Sequence, residues 1–118
     1  MKLEIKGMIT NDDDAEIYRD WLGMTVTSPA DILDNLPTDG SDVEIGINSG
    51  GGEVDSANEI YTALRNYQGK VTTQIESSAY SAASIIAMAG DTVQISPVAQ
   101  LMIHNASTYA GATHAMLF

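Results

Sequence analysis

The chain of 118 residues contains no cysteine. That excludes a disulfide framework and any thiolate-held metal site, and it suits a reducing, cytoplasmic setting. Basic residues are also scarce: 5 against 16 acidic ones, a formal net charge of −11. Phosphate recognition relies on Lys and Arg clusters, so the balance argues against nucleic acid as a partner. It argues equally against an anionic membrane surface, and reads most simply as a solvated, acidic exterior. The uncharged run Ser77 to Gly90 is too short and too rich in serine to span a bilayer. The opening "MKLEIKGMITNDDD" sets Lys2, Glu4 and Lys6 among its apolar positions and is not patterned as a secretory signal.

What is present fits one small domain over residues 1–118. "KLEIKGMI" alternates as a first strand. In "NDDDAEIYRDWLG", Asn11 or Asp12 caps a predicted helix carrying Ile17, Tyr18, Trp21 and Leu22 and ended by Gly23. Ser28 with Pro29 opens a second helix that stops before Pro37. "DVEIGINS" puts Val43, Ile45 and Ile47 on one face of a strand that runs into the glycine turn Gly50–Gly52. Val54, Ala57, Ile60, Tyr61, Leu64 and Tyr67 then recur at helical spacing as far as Gly69. "KVTTQIE" is a further strand, and "AASIIAMA", apolar all round with Ile85, Ile86 and Met88, a buried helix. "DTVQIS" and "AQLMIHNA" are short strands, and "ATHAMLF" reads as the start of another helix. This alternation of strands and helices predicts an α/β domain.

Three features bear chemistry. Asn48 to Val54, "NSGGGEV", joins a strand to a helix through glycines, which let backbone N–H groups approach a ligand at a helix N-terminus. A phosphate loop is excluded, since no Lys-Ser/Thr follows and Glu53 and Asp55 repel phosphate. Alone, the stretch reads as a tight turn. Second, Ser77, Ser78, Ser81 and Ser84 cluster at the entrance to the alanine-rich helix. Ser81, followed by Ala82 and Ala83, has the small neighbours and the following backbone N–H that a nucleophile uses. Its bland reading is a helix cap. Third, His104 ends an apolar strand before a polar turn, a perch for a general base. His114 has no such context. Together the three are the parts that acyl transfer by a serine–histidine pair requires, whatever their order in the chain.

The blocks "INSGGGEV", "SAYSAASIIAMAG" and "LMIHNA" resemble, in order, the signature blocks of the Clp-type serine proteases, and most of all their phage-associated head maturation branch. The resemblance runs from about Leu3 to about Tyr109. Gly52 and Ser81 lie 29 positions apart, and Ser81 and His104 lie 23 apart, slightly closer than in bacterial Clp proteases. The resemblance implies a Clp/crotonase-type fold of repeated ββα units wound into a superhelix. It implies Ser81 as nucleophile, His104 as general base, and the N–H groups of Gly52 and Ala82 as the oxyanion hole, with Gly51 keeping the turn tight. No metal and no cofactor are implied. The implied partners are a polypeptide substrate, capsid or scaffold proteins of an assembling phage head, and further copies of the chain in a ring, with or without an unfoldase.

Two departures stand out. Gly50 replaces the family's usual proline, which loosens the turn and removes no donor. The family's third catalytic residue, an aspartate, lies further beyond the histidine than the 14 residues that follow His104 here. The expectation is a chain trimmed of that aspartate and of the handle helix that joins rings. Two other readings remain: a non-catalytic assembly module of the same fold, and a crotonase-like acyl-CoA enzyme.

Overall fold

The computed structural model describes residues 1–104 and 115–117, with side chains through Met102. The described elements follow the α/β alternation. They run β1 (Lys2–Ile9), α1 (Asp12–Glu16) continuing into a π-helical turn (Ile17–Trp21), β2 (Val26–Thr27) and α2 (Pro29–Leu33). Then come β3 (Val43–Gly52), α3 (Val54–Asn66), β4 (Val71–Tyr80), α4 (Ala82–Ala87), β5 (Thr92–Ile95), β6 (Gln100–His104) and β7 (Ala115–Leu117). The strands form one sheet in the order β2-β1-β3-β4-β6-β7, with β5 beside β4. All pairs are parallel except β6 with β7.

The alternation read from the sequence sets the two faces. Ile5, Ile45, Ile47, Val71, Thr73 and Ile75 point into the core and are at most 2% exposed. There they meet Ala57, Ile60 and Leu64 of α3 and Ala83 and Ile86 of α4. The intervening positions carry polar groups: Lys2 lies 3.0 Å from Glu76 and 3.6 Å from Glu4. The hydrogen bond from Lys2 holds the Glu76 carboxyl below its ordinary value.

Local signals act as read at several ends. Asn11 accepts the Asp14 N–H at 2.8 Å and caps α1. Ser28 precedes α2, with Pro29 in its first turn, and the Asp31 carboxylate accepts the Ser28 N–H at 2.8 Å. The helix α2 stops before Pro37, as expected, ending at Leu33. The helix after Asn11 buries Ala15 but leaves three larger apolar residues in solvent: Ile17 is 51% exposed, Trp21 82% and Leu22 61%. The widening to π geometry shifts them off a 3.6-residue stripe. Two readings are corrected. Met88 lies just past α4 as its C-cap and is 40% exposed, while Ile85 is only half-buried. Finally, Ala115–Leu117 of "ATHAMLF" forms a strand, not a helix, because the open edge of β6 offers backbone partners from Met102 to His104.

Trp21 is the single tryptophan of the chain, so fluorescence reads its surroundings directly. Emission is expected near that of free indole in water, with full quenching by acrylamide. A blue-shifted, shielded emission would contradict the exposed placement.

Candidate active site

The three glycines expected as a tight turn after the strand are instead the last residues of β3, paired to β1 through Met8↔Gly51 and Ile9↔Gly52. The strand can carry them because both depart from ordinary backbone, Gly51 with φ 105° and Gly52 with φ 147°. A side chain at Gly52 would overlap the Ile9 carbonyl oxygen, 2.1 Å from an added Cβ. The next N–H, of Glu53, donates to that same carbonyl at 2.9 Å. A side chain at Gly51 would strike the Tyr80 carbonyl at 2.8 Å, the Ser81 Cβ at 3.0 Å and the Ala82 nitrogen at 3.2 Å. The glycine stretch and the serine stretch, 29 positions apart in sequence, therefore touch at Gly51.

The strand β4 runs through Tyr80, so Ser77 and Ser78 belong to it. Ser81 is the single residue between β4 and α4. It adopts φ 54° and ψ −122°, and is the one non-glycine residue with positive φ among those described. Such a conformation costs on the order of 1–3 kcal/mol and persists only where the surroundings enforce it. Two bonds help to enforce it: the Ser81 N–H donates to the Met102 carbonyl of β6 at 2.9 Å, and the Ser84 N–H donates to the Ser81 carbonyl at 3.0 Å. An ordinary N-cap serine has extended backbone and spends its hydroxyl on the helix. Ser81 has neither property: its side chain makes no capping bond, and it is half-buried.

The other three serines separate from it by what they touch. Ser84 is 2% exposed, and its hydroxyl donates to the Ser81 carbonyl. Ser78 donates to the Asn48 side chain at 3.2 Å on the polar face of the sheet. Ser77 is exposed within the strand. Ala82, 1% exposed, is the first residue of α4, so its N–H has no acceptor within the helix. Gly51 differs: its N–H donates to the Ser49 hydroxyl at 3.1 Å, so it supplies room rather than a free donor. Sequence reasoning passed over Ser49. Its signal was a lone serine between a strand's apolar residues and the glycines.

The backbone also places the histidine strand. Tyr80 pairs with Met102 in the parallel β4–β6 ladder, and His104 ends β6 two residues further on, about 7 Å along the strand. It thus follows the residue whose carbonyl holds the Ser81 N–H. The His104 side chain and His114 lie outside the described residues. Among the described residues there is no group of three His, Cys, Asp or Glu that could hold a metal ion. No described helix is long and apolar enough to cross a membrane.

Comparison with known proteins agrees with this layout. Two solved structures, ClpP1 from Listeria monocytogenes and a point mutant of that protein, superpose with a TM-score of 0.63 at 20% identity. Each match covers 87% of this chain and 55% of the other, so the chain spans about half the length of those structures. That likeness establishes the Clp-type α/β fold. No curated protein sequence matches. The profile of the family described as Clp protease matches residues 27–116, a span that holds Gly51, Gly52, Ser81, Ala82 and His104. With three quarters of its length inside that profile, the chain belongs to the Clp protease family.

Proposed function

We propose that the protein is a serine endopeptidase in which Ser81 attacks the peptide carbonyl and His104 accepts its proton. The observation that carries this reading is the backbone of Ser81. A strained, positive-φ serine stands alone between a parallel strand and a helix, its hydroxyl unused by the helix and its flank pressed on Gly51. In the first step the Ser81 Oγ bonds to the carbonyl carbon while its proton passes to His104. The carbonyl oxygen gains the negative charge and is met by the N–H groups of Gly52 and Ala82. Collapse breaks the C–N bond, with His104 returning the proton to the leaving amine. Water, deprotonated by His104, then releases the acyl group and restores Ser81.

The substrates proposed are capsid and scaffold proteins of an assembling phage head, processed in the bacterial cytoplasm by a homo-oligomeric ring, with or without an unfoldase. The run of signature blocks in the head maturation pattern supports this finer reading. Fluorophosphonate labelling tests the chemistry: wild type takes up label, while Ser81→Ala and His104→Ala lose it. Equal labelling of Ser81→Ala sinks the assignment. Co-expression with phage capsid and scaffold proteins tests the substrates, through the appearance of shortened products. Stable rings that never label would favour the assembly-module reading.

A further inference from the structure

We infer that Ser49 is a positioning residue of the same site, holding the oxyanion glycine end of β3 in shape through its buried hydroxyl. The inference rests on the serine-hydrolase reading of Ser81. At Ser49 the regular ladders on both sides of β3 break. Against β1 the register passes from Lys6↔Asn48 to Met8↔Gly51, and against β4 from Ile47↔Ile75 to Ser49↔Ala79. Irregular pairing of this kind disrupts the ladder locally. One side chain there bonds to backbone on both strands. The Ser49 Oγ donates to the Gly7 carbonyl at 2.6 Å and accepts the Gly51 N–H at 3.1 Å. A hydroxyl suits the place because it is donor and acceptor at once.

Ser49 is 2% exposed, so water does not readily replace it. Gly7 is itself shaped for the contact: it has φ 69°, and a side chain there would overlap the Thr25 carbonyl at 2.1 Å. The chain Gly51 N–H to Ser49 to Gly7 thus ties the glycine end of β3 to β1. The Gly51 N–H belongs to the peptide that links Gly50 to Gly51, so the contact fixes the plane one Cα before the peptide that carries the Gly52 N–H, and limits where that next peptide can sit. Alanine at 49 leaves a donor and an acceptor unpaired in a dry place and lets that plane rotate.

The experiment uses the full chain with Ser49→Ala, Ser49→Thr and, as a control, Thr73→Val. Thr73 is equally buried and donates to the Ala87 carbonyl at 2.7 Å, away from the turn. Two quantities are read below the melting point of every variant: hydrogen exchange of the Gly51 amide, and the rate and affinity constants of fluorophosphonate labelling. In Ser49→Ala the Gly51 amide is expected to exchange at least tenfold faster. The maximal labelling rate is expected to fall ten- to a hundredfold with little change in probe affinity, because the phosphoryl oxygen occupies the oxyanion position. Ser49→Thr recovers both, and Thr73→Val changes neither. Unchanged Gly51 exchange in Ser49→Ala overturns the inference, and so does faster exchange with an unchanged labelling rate. A wild-type chain that takes no label overturns the underlying serine-hydrolase reading instead. Gly51 exchange tells the two failures apart, since it reads the hydroxyl contact without chemistry at Ser81.

Discussion

Ser81→Gly is expected to melt higher than the wild type while losing all reactivity toward a serine-directed probe. The two effects have one origin. Ser81 holds φ 54° with a Cβ attached, which a non-glycine residue tolerates poorly. Release of that strain gains on the order of 1–3 kcal/mol. The added freedom of glycine in the unfolded chain takes back somewhat under 1 kcal/mol. A net gain of about 1 kcal/mol corresponds to a rise of roughly 3–6 °C in Tm for a domain of this size. Ser81→Ala keeps the Cβ and therefore the strain, so its Tm is expected to stay within about a degree of wild type. Both variants lack the nucleophile, and a loss on the order of 10⁶ in turnover is expected for each. The paired comparison separates backbone strain from chemistry. A melting point that falls in Ser81→Gly would mean that the strained backbone is not a property of the folded protein in solution.

How far the sequence reaches is clear from the same residues. The strand-and-helix alternation was legible because Val43, Ile45 and Ile47, then Val71, Thr73 and Ile75, repeat at the period of a strand facing one core. The helix stripe of Ala57, Ile60 and Leu64 was equally legible, although Val54 at its start is 51% exposed. Ser81 stood out among four serines only through small neighbours and family spacing. What distinguishes it physically, a positive φ and a hydroxyl not spent on capping its helix, depends on where β6 and Gly51 lie, and no local pattern encodes that. The glycines misled in the opposite direction. Three in a row read as a tight turn, yet their lack of side chains lets β3 press against the Ile9 backbone and Tyr80 and so remain a strand. The exposure of Trp21 was hidden because an apolar stripe is read at 3.6 residues per turn, and the turn there is wider. Ser49 escaped notice because a lone serine ahead of glycines does not name its partners: Gly7 and Gly51 meet it through backbone alone.

The sharpest test of the glycine turn compares Gly52→Ala with Gly50→Ala. The two glycines are two residues apart in one strand, and by sequence either could be the looser one. Gly50 has nothing within 4 Å of an added Cβ and no positive φ. Alanine there restricts the unfolded chain and is expected to stabilise by about 0.4–1 kcal/mol. At Gly52 an added Cβ would lie 2.1 Å from the Ile9 oxygen and 2.7 Å from its nitrogen. Both are backbone atoms, so no rotamer change relieves the overlap and β1 itself must move. That movement breaks the Glu53 N–H bond to Ile9 and the last two pairs of the β1–β3 ladder. With the φ of 147° added, the expected cost is on the order of 3 kcal/mol, a fall in Tm of roughly 10–15 °C. Labelling of Ser81 measured well below that Tm is also expected to drop, since the Gly52 N–H is displaced together with its strand. Gly50→Ala is expected to label at the wild-type rate. If Gly52→Ala melted and labelled like Gly50→Ala, the close approach of β3 to β1 would be refuted, and with it the donor on which the proposed oxyanion site depends.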